Sequence, residues 1–176
     1  MILKSIVTAV AALLVAAVLQ ADVSVRIAVG PARPDFLLLT VVCIGLLTST
    51  VFSLASGLLA GIVMAALAGI NYGTFIASRI AAGWVSAQVA RTISRESLLA
   101  PLTAMAAATV ASRVVTFLMA PGSLRDWAVT SAGELLYNVA LVLPAYMLLQ
   151  PILRPKRVRE PYERRLRRHV RRASMR

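Results

Sequence analysis

The chain has 176 residues, 59% of them apolar and 15% charged, with a formal net charge of +12. A soluble domain typically carries about 25% charged residues, so an ordinary water-soluble fold is excluded. One cysteine, Cys43, and one histidine, His169, leave no disulfide framework and no Cys- or His-based metal site.

The charge is unevenly placed. Residues 1–153 hold eight basic and five acidic residues, while the 23 residues from Arg154 onward hold eleven basic and two acidic. The chain therefore divides into a nearly neutral, apolar body, 1–153, and a basic tail, 154–176. The body is predicted to be an all-α integral membrane domain of about six transmembrane helices.

Lys4 followed by the uncharged run Ser5–Ala21 has the look of a secretory signal. At 17 residues the run sits at the lower edge for a spanning helix. Cleavage after Ala21 would place Leu19 where a small residue is required, so a retained first helix is expected. The loop 22–35 follows.

No charged residue occurs between Asp35 and Arg79, a stretch of 43. That is about twice the roughly 20 residues needed to cross a bilayer. The stretch is therefore divided at Thr48-Ser49-Thr50 into two spans, Phe36–Thr48 and Ser53–Ala68, with Asp35 capping the first. Gly69-Ile70-Asn71-Tyr72-Gly73 is the next turn, and a fourth span covers Thr74–Val89. A polar stretch from Arg91 to Ser97, with Arg95 and Glu96, leads to a fifth helix that carries Pro101 in its first turn. That helix runs to Met119 and stops at Pro121-Gly122. The sixth runs from Trp127 to about Gln150 and is closed by Pro151.

With six spans both termini share a side. Lys4, the 91–97 loop and the tail then hold 14 of the nineteen basic residues, and the positive-inside rule puts that side in the cytoplasm. The chain is expected in the bacterial cytoplasmic (inner) membrane. Tyr72 and Trp127 fall near interfaces as anchors. Gly57 and Gly61 at GxxxG spacing, with Ala104, Ala108 and Ser112, form small-residue faces suited to close helix packing, within the chain rather than in a dimer.

Three ionisable residues fall inside spans: Arg79, Arg113 and Glu134. Each costs about 2.5–3.5 kcal/mol at a helix centre. Counted from the helix ends, all three lie roughly 9–12 Å below the outer interface. An internal polar cluster is expected, with Glu134 paired to Arg113 or Arg79 and with Asn138 one turn along the same face. It serves either as an ion pair that fixes helix register or as a pocket for a substrate or partner helix. Proton transfer calls for further relay groups. No phosphate loop, nucleophile constellation or metal-spaced cluster accompanies it, so neither an enzyme nor a cofactor is expected.

In the tail, Tyr162, Leu166 and Val170 form a narrow helical stripe among Arg164, Arg165, Arg167, Arg168, Arg171 and Arg172. Such a segment suits an anionic cytoplasmic leaflet or a protein partner. Without aromatic interleaving or a recognisable motif, nucleic acid is disfavoured.

Laid out in order, Leu19-Gln20 closing the first helix, Pro34-Asp35-Phe36 before a leucine run, Gly57-Leu58-Leu59-Ala60-Gly61, the Gly69-Ile70-Asn71 turn and Tyr137-Asn138 in the last span resemble the rod shape-determining protein MreD family across residues 1–153. Where that family often carries acids, this chain has Met64-Ala65 and Arg113. The resemblance implies a non-catalytic subunit of the complex that elongates the peptidoglycan side wall. Its implied partners are MreC, MreB, a RodA-type glycosyltransferase and a transpeptidase. It also implies a fold resembling the substrate-binding subunits of energy-coupling-factor vitamin transporters. Such a subunit is the alternative reading, with Ala12 and Ala16 as a docking pattern.

Overall fold

The computed structural model describes residues 2–93 and 97–153. Lys4's side chain, Arg95, Glu96 and the whole basic tail, including Arg164, Arg165, Arg167, Arg168, Arg171 and Arg172, lie outside the described side chains. The body is all-helical: α1 (Ile2–Arg26), α2 (Phe36–Leu47), α3 (Thr50–Ala68), α4 (Tyr72–Thr92), α5 (Leu99–Met119) and α6 (Leu124–Leu153). The four helices α1, α3, α5 and α6 are long and apolar enough to cross a membrane.

Several helix ends lie elsewhere than the sequence predicts, most clearly in α1 and α6. α1 continues past Ala21 to Arg26, whose guanidinium pairs with Asp22 one turn back at 2.8 Å. The first outer loop is therefore 27–35. α6 starts three residues before Trp127 and passes through Pro151 to Leu153. Ser123 supplies the starting turn, its carbonyl accepting from the Trp127 N–H, which draws Arg125 and Asp126 into the helix.

α2 departs furthest from an ordinary span. Its twelve residues cover about 18 Å, well short of a hydrocarbon core about 30 Å thick. Eleven of the twelve are buried, and the helix touches each of the other five. A helix apolar on every side belongs inside a bundle, and α2 is the centre of this one. Its outer end also starts low. Asp35, the N-cap, lies level with Arg79, which is seven residues into α4, or about 10 Å down from that helix's start. The chain 32–35 therefore dips into the bundle before α2 begins.

α4 has the opposite pattern from a lipid-facing helix. Its buried residues are Thr74, Ser78, Arg79, Ala82, Gly83, Ser86 and Ala87, so its polar and small groups point inward. Close approach to α3 makes this possible. A Cβ on Gly57 would stand 2.5 Å from the Arg79 carbonyl oxygen, and one on Gly61 would stand 2.5 Å from the Ile76 Cα. The two helices run antiparallel, and Ser53 Oγ donates to the Gly83 carbonyl at 2.7 Å. The glycine pair thus serves packing within the chain.

The short turns follow their sequences. Thr48 ends α2, and the Ser49 hydroxyl accepts from the Phe52 N–H to start α3. Gly69 at φ +70° closes α3 and Asn71 at φ +54° opens α4, both in the left-handed region that glycine and asparagine tolerate best.

Candidate functional site

Four charged side chains from four elements meet at the level where α2 begins. Arg79 of α4 pairs with Asp35, and Arg113 of α5 pairs with Glu134 of α6. Arg79 also donates to the Ser112 hydroxyl at 3.0 Å. Charges in a low-dielectric interior persist only when matched, and the two pairs cancel. The sequence left Glu134 a choice between two arginines and gave Asp35 a capping role alone. In the fold Glu134 takes Arg113, and Asp35 does two things at once. Its Oδ1 accepts from the Leu38 N–H at 2.9 Å to cap α2, while its Oδ2 holds Arg79.

Around these pairs, two amide side chains secure the dipping backbone. Asn138 Oδ1 accepts from the Asp35 N–H at 3.0 Å, and its Nδ2 donates to Thr109 Oγ1 at 3.3 Å. On the other side, Gln20 Oε1 accepts from the Phe36 N–H at 2.8 Å, and its Nε2 lies 3.3 Å from Ser24 Oγ and 3.5 Å from the Pro34 carbonyl. Irregular backbone at membrane depth is tolerated only where protein groups satisfy it. Gln20 and Asn138 provide that satisfaction from opposite flanks. Higher on the loop, the Tyr137 hydroxyl donates to the Ile27 carbonyl at 2.8 Å. Ala32 packs so closely on Gly133 that a Cβ there would collide with it. A bridge between Val29 and Ala32, with Gly30 at φ +59°, shapes the tip.

More than one space borders the cluster. A small cavity of about 70 Å³ lies between the ion pairs, lined by Ser78, Arg79, Thr109, Arg113, Thr116 and Glu134 among others. It has room for roughly two waters, and the Nε atoms of Arg79 and Arg113 have no partner among the described residues. Beside it a cleft of about 360 Å³ opens between the outer ends of α1 and α3, lined by Gln20, Ser24, Val25, Arg33, Met64 and Leu67. Asp35, Met64 and Glu134 line both spaces.

The residues singled out from sequence, Arg79, Arg113, Glu134, Asn138, Pro34, Asp35 and Tyr137, thus all belong to this region. Gln20, Thr109 and Ser112 were missed as members. Leu19-Gln20 was noted only as a motif, and hydroxyls on a small-residue face look like packing. Trp127, read as an interfacial anchor, also has a structural bond: its Nε1–H donates to the Arg113 carbonyl at 3.0 Å, and its ring lies 5.2 Å from that of Phe117. Among the described residues, no group of three or more His, Cys, Asp or Glu is placed to hold a metal. No protein-family model, curated protein or solved structure matches the chain.

Proposed function

We propose that this chain is a non-catalytic membrane subunit of the bacterial cell-wall elongation complex, resembling MreD, which binds MreC and helps to organise peptidoglycan synthesis for rod-shape maintenance. The observation that carries this reading is convergence. Three short motifs of the resemblance, Leu19-Gln20, Pro34-Asp35 and Tyr137-Asn138, are scattered over 120 residues of sequence. They supply the amide, carboxylate and phenol that hold one loop and one helix start in place. Chance matches in an apolar chain have no reason to meet in one hydrogen-bonded unit.

In this reading six helices cross the inner membrane with both termini in the cytoplasm. The outer surfaces of the bundle receive the transmembrane helix of MreC, and the Arg79, Arg113, Glu134 cluster keeps those surfaces in register. The basic tail lies on anionic lipid or on a cytoplasmic member of the complex.

The decisive experiment is gentle-detergent purification of the tagged protein from its native membrane, with identification of what accompanies it. MreC, with or without MreB, the RodA-type enzyme and its transpeptidase, is the expected company. A Glu134→Leu variant, which leaves Arg113 unmatched, is expected to lower yield or MreC recovery. Wild-type yield and binding in that variant would remove the cluster from the account.

The cleft of about 360 Å³ favours a second reading, since small-molecule sites commonly begin near 300 Å³. A substrate-binding subunit of an energy-coupling-factor transporter would co-purify with paired ATPases and a coupling subunit. Ala16, half of the proposed docking pair, is 3% exposed, which weighs against that pair as a docking face.

A further inference from the structure

The cleft between α1 and α3 has an apolar part to its lining, from Ala21, Val25, Met64, Leu67 and Ala68. Its polar groups are few and unlike. Arg33 stands exposed at the rim and has no hydrogen bond or ion pair among the described residues. The other arginine of this end of α1, Arg26, is already matched to Asp22. Deeper in, Glu134 gives one carboxylate oxygen to Arg113. Its second oxygen makes no hydrogen bond among the described residues, and the residue lines the cleft. An unpaired cation at the rim, a carboxylate in the lining and apolar residues from α1 and α3 make a complementary set.

We propose that this cleft binds a zwitterionic amphiphile of the phosphoethanolamine class. Its phosphate would meet Arg33, its ammonium would donate to the free Glu134 oxygen, and its apolar portion would lie along Val25 and Leu67. Guanidinium and phosphate form charge-assisted bonds. The pairs Asp35–Arg79 and Arg113–Glu134 add no net charge, so the cleft offers one unmatched cation, Arg33, and a carboxylate oxygen that can still accept a hydrogen bond. Choline headgroups carry the same charges but no N–H donor, so the site discriminates by hydrogen bonding. This site is independent of which proteins accompany the chain.

The test uses the purified full-length protein, delipidated in detergent. Retained lipid is measured by native mass spectrometry after addition of equal amounts of phosphatidylethanolamine, phosphatidylcholine and phosphatidylglycerol. Soluble glycerophosphoethanolamine forms a separate arm. Preferential retention of the ethanolamine lipid, at least about fivefold over choline (about 1 kcal/mol by RT ln 5), is expected. Arg33→Ala should abolish most of it, and so should Leu67→Trp. Both positions are exposed, so neither change needs to disturb folding. Equal effectiveness of the soluble compound would keep the headgroup chemistry and make a free zwitterion the ligand. Equal retention of all three headgroups, or retention unchanged in both variants, would overturn the proposal.

Discussion

Asp35 carries more of the structure than any other single side chain. It caps a helix, neutralises a buried guanidinium and hands its own backbone N–H to Asn138. Its side chain and that of Arg79 are 11% and 5% exposed, so removal of the carboxylate strands a positive charge in the interior. Asp35→Ala is expected to cost about 3–5 kcal/mol, read as a lowered unfolding midpoint in detergent. Replacing both partners by apolar residues, Asp35→Leu with Arg79→Met, should cost far less than the two single changes added together, because no unpaired charge remains. Additivity of the two would show that the pair does not interact. The sequence exposed the arginines and the glutamate plainly, as charges where none belong. It concealed Asp35's second role, because a carboxylate just before a helix is already explained by capping. Gln20 was hidden for a related reason: an amide near a helix end passes for an interfacial residue until the backbone it serves is seen beneath the surface.

At the level of elements, the order and kind of helices were legible from charge spacing and turn residues, and their depths were not. Hydropathy gives a length of apolar chain but no zero of depth. The sequence therefore showed α2 as an apolar span without showing that it begins about two turns below the start of α4. That offset lets a twelve-residue helix approach the far side of the membrane. The glycine pair pointed to close packing within the chain without naming α4 as the neighbour, and the α3–α4 contact it makes is unforgiving. Gly57→Ala would push a methyl group against the Arg79 backbone, displacing the residue that holds Asp35. Overpacking of this kind costs about 1–3 kcal/mol. Gly122→Ala meets nothing within 4 Å and serves as the control, with an unchanged midpoint. A Gly57→Ala variant as stable as the control would mean that α3 shifts freely against α4.

For the whole molecule, the apolar body and the basic tail suggest separable tasks. Deleting residues 155–176 is expected to leave insertion and melting of the body intact while weakening attachment to anionic vesicles, most clearly at low salt, where charge attraction is least screened. Flotation with vesicles of graded anionic content checks this. Binding unchanged by the deletion would assign the basic residues another role. The membrane character was evident from composition, since four helices are long and apolar enough to cross. The path of the chain through the bundle was less so. α4 owes its place beside α2 to Ser78, Ser86 and Arg79 facing inward, and a linear hydropathy profile reads those residues as weakness rather than as an inner face.

The burial of α2 has one more consequence, because the chain's single thiol sits in its middle. Cys43 is 0% exposed and belongs to a helix that all five others touch. A maleimide can reach it only when the bundle parts, so the labelling rate is a clock for that event, wound into the native sequence. Cysteines added at the surface for attachment or cross-linking would report within seconds, while the native thiol stayed silent and timed the opening of the whole.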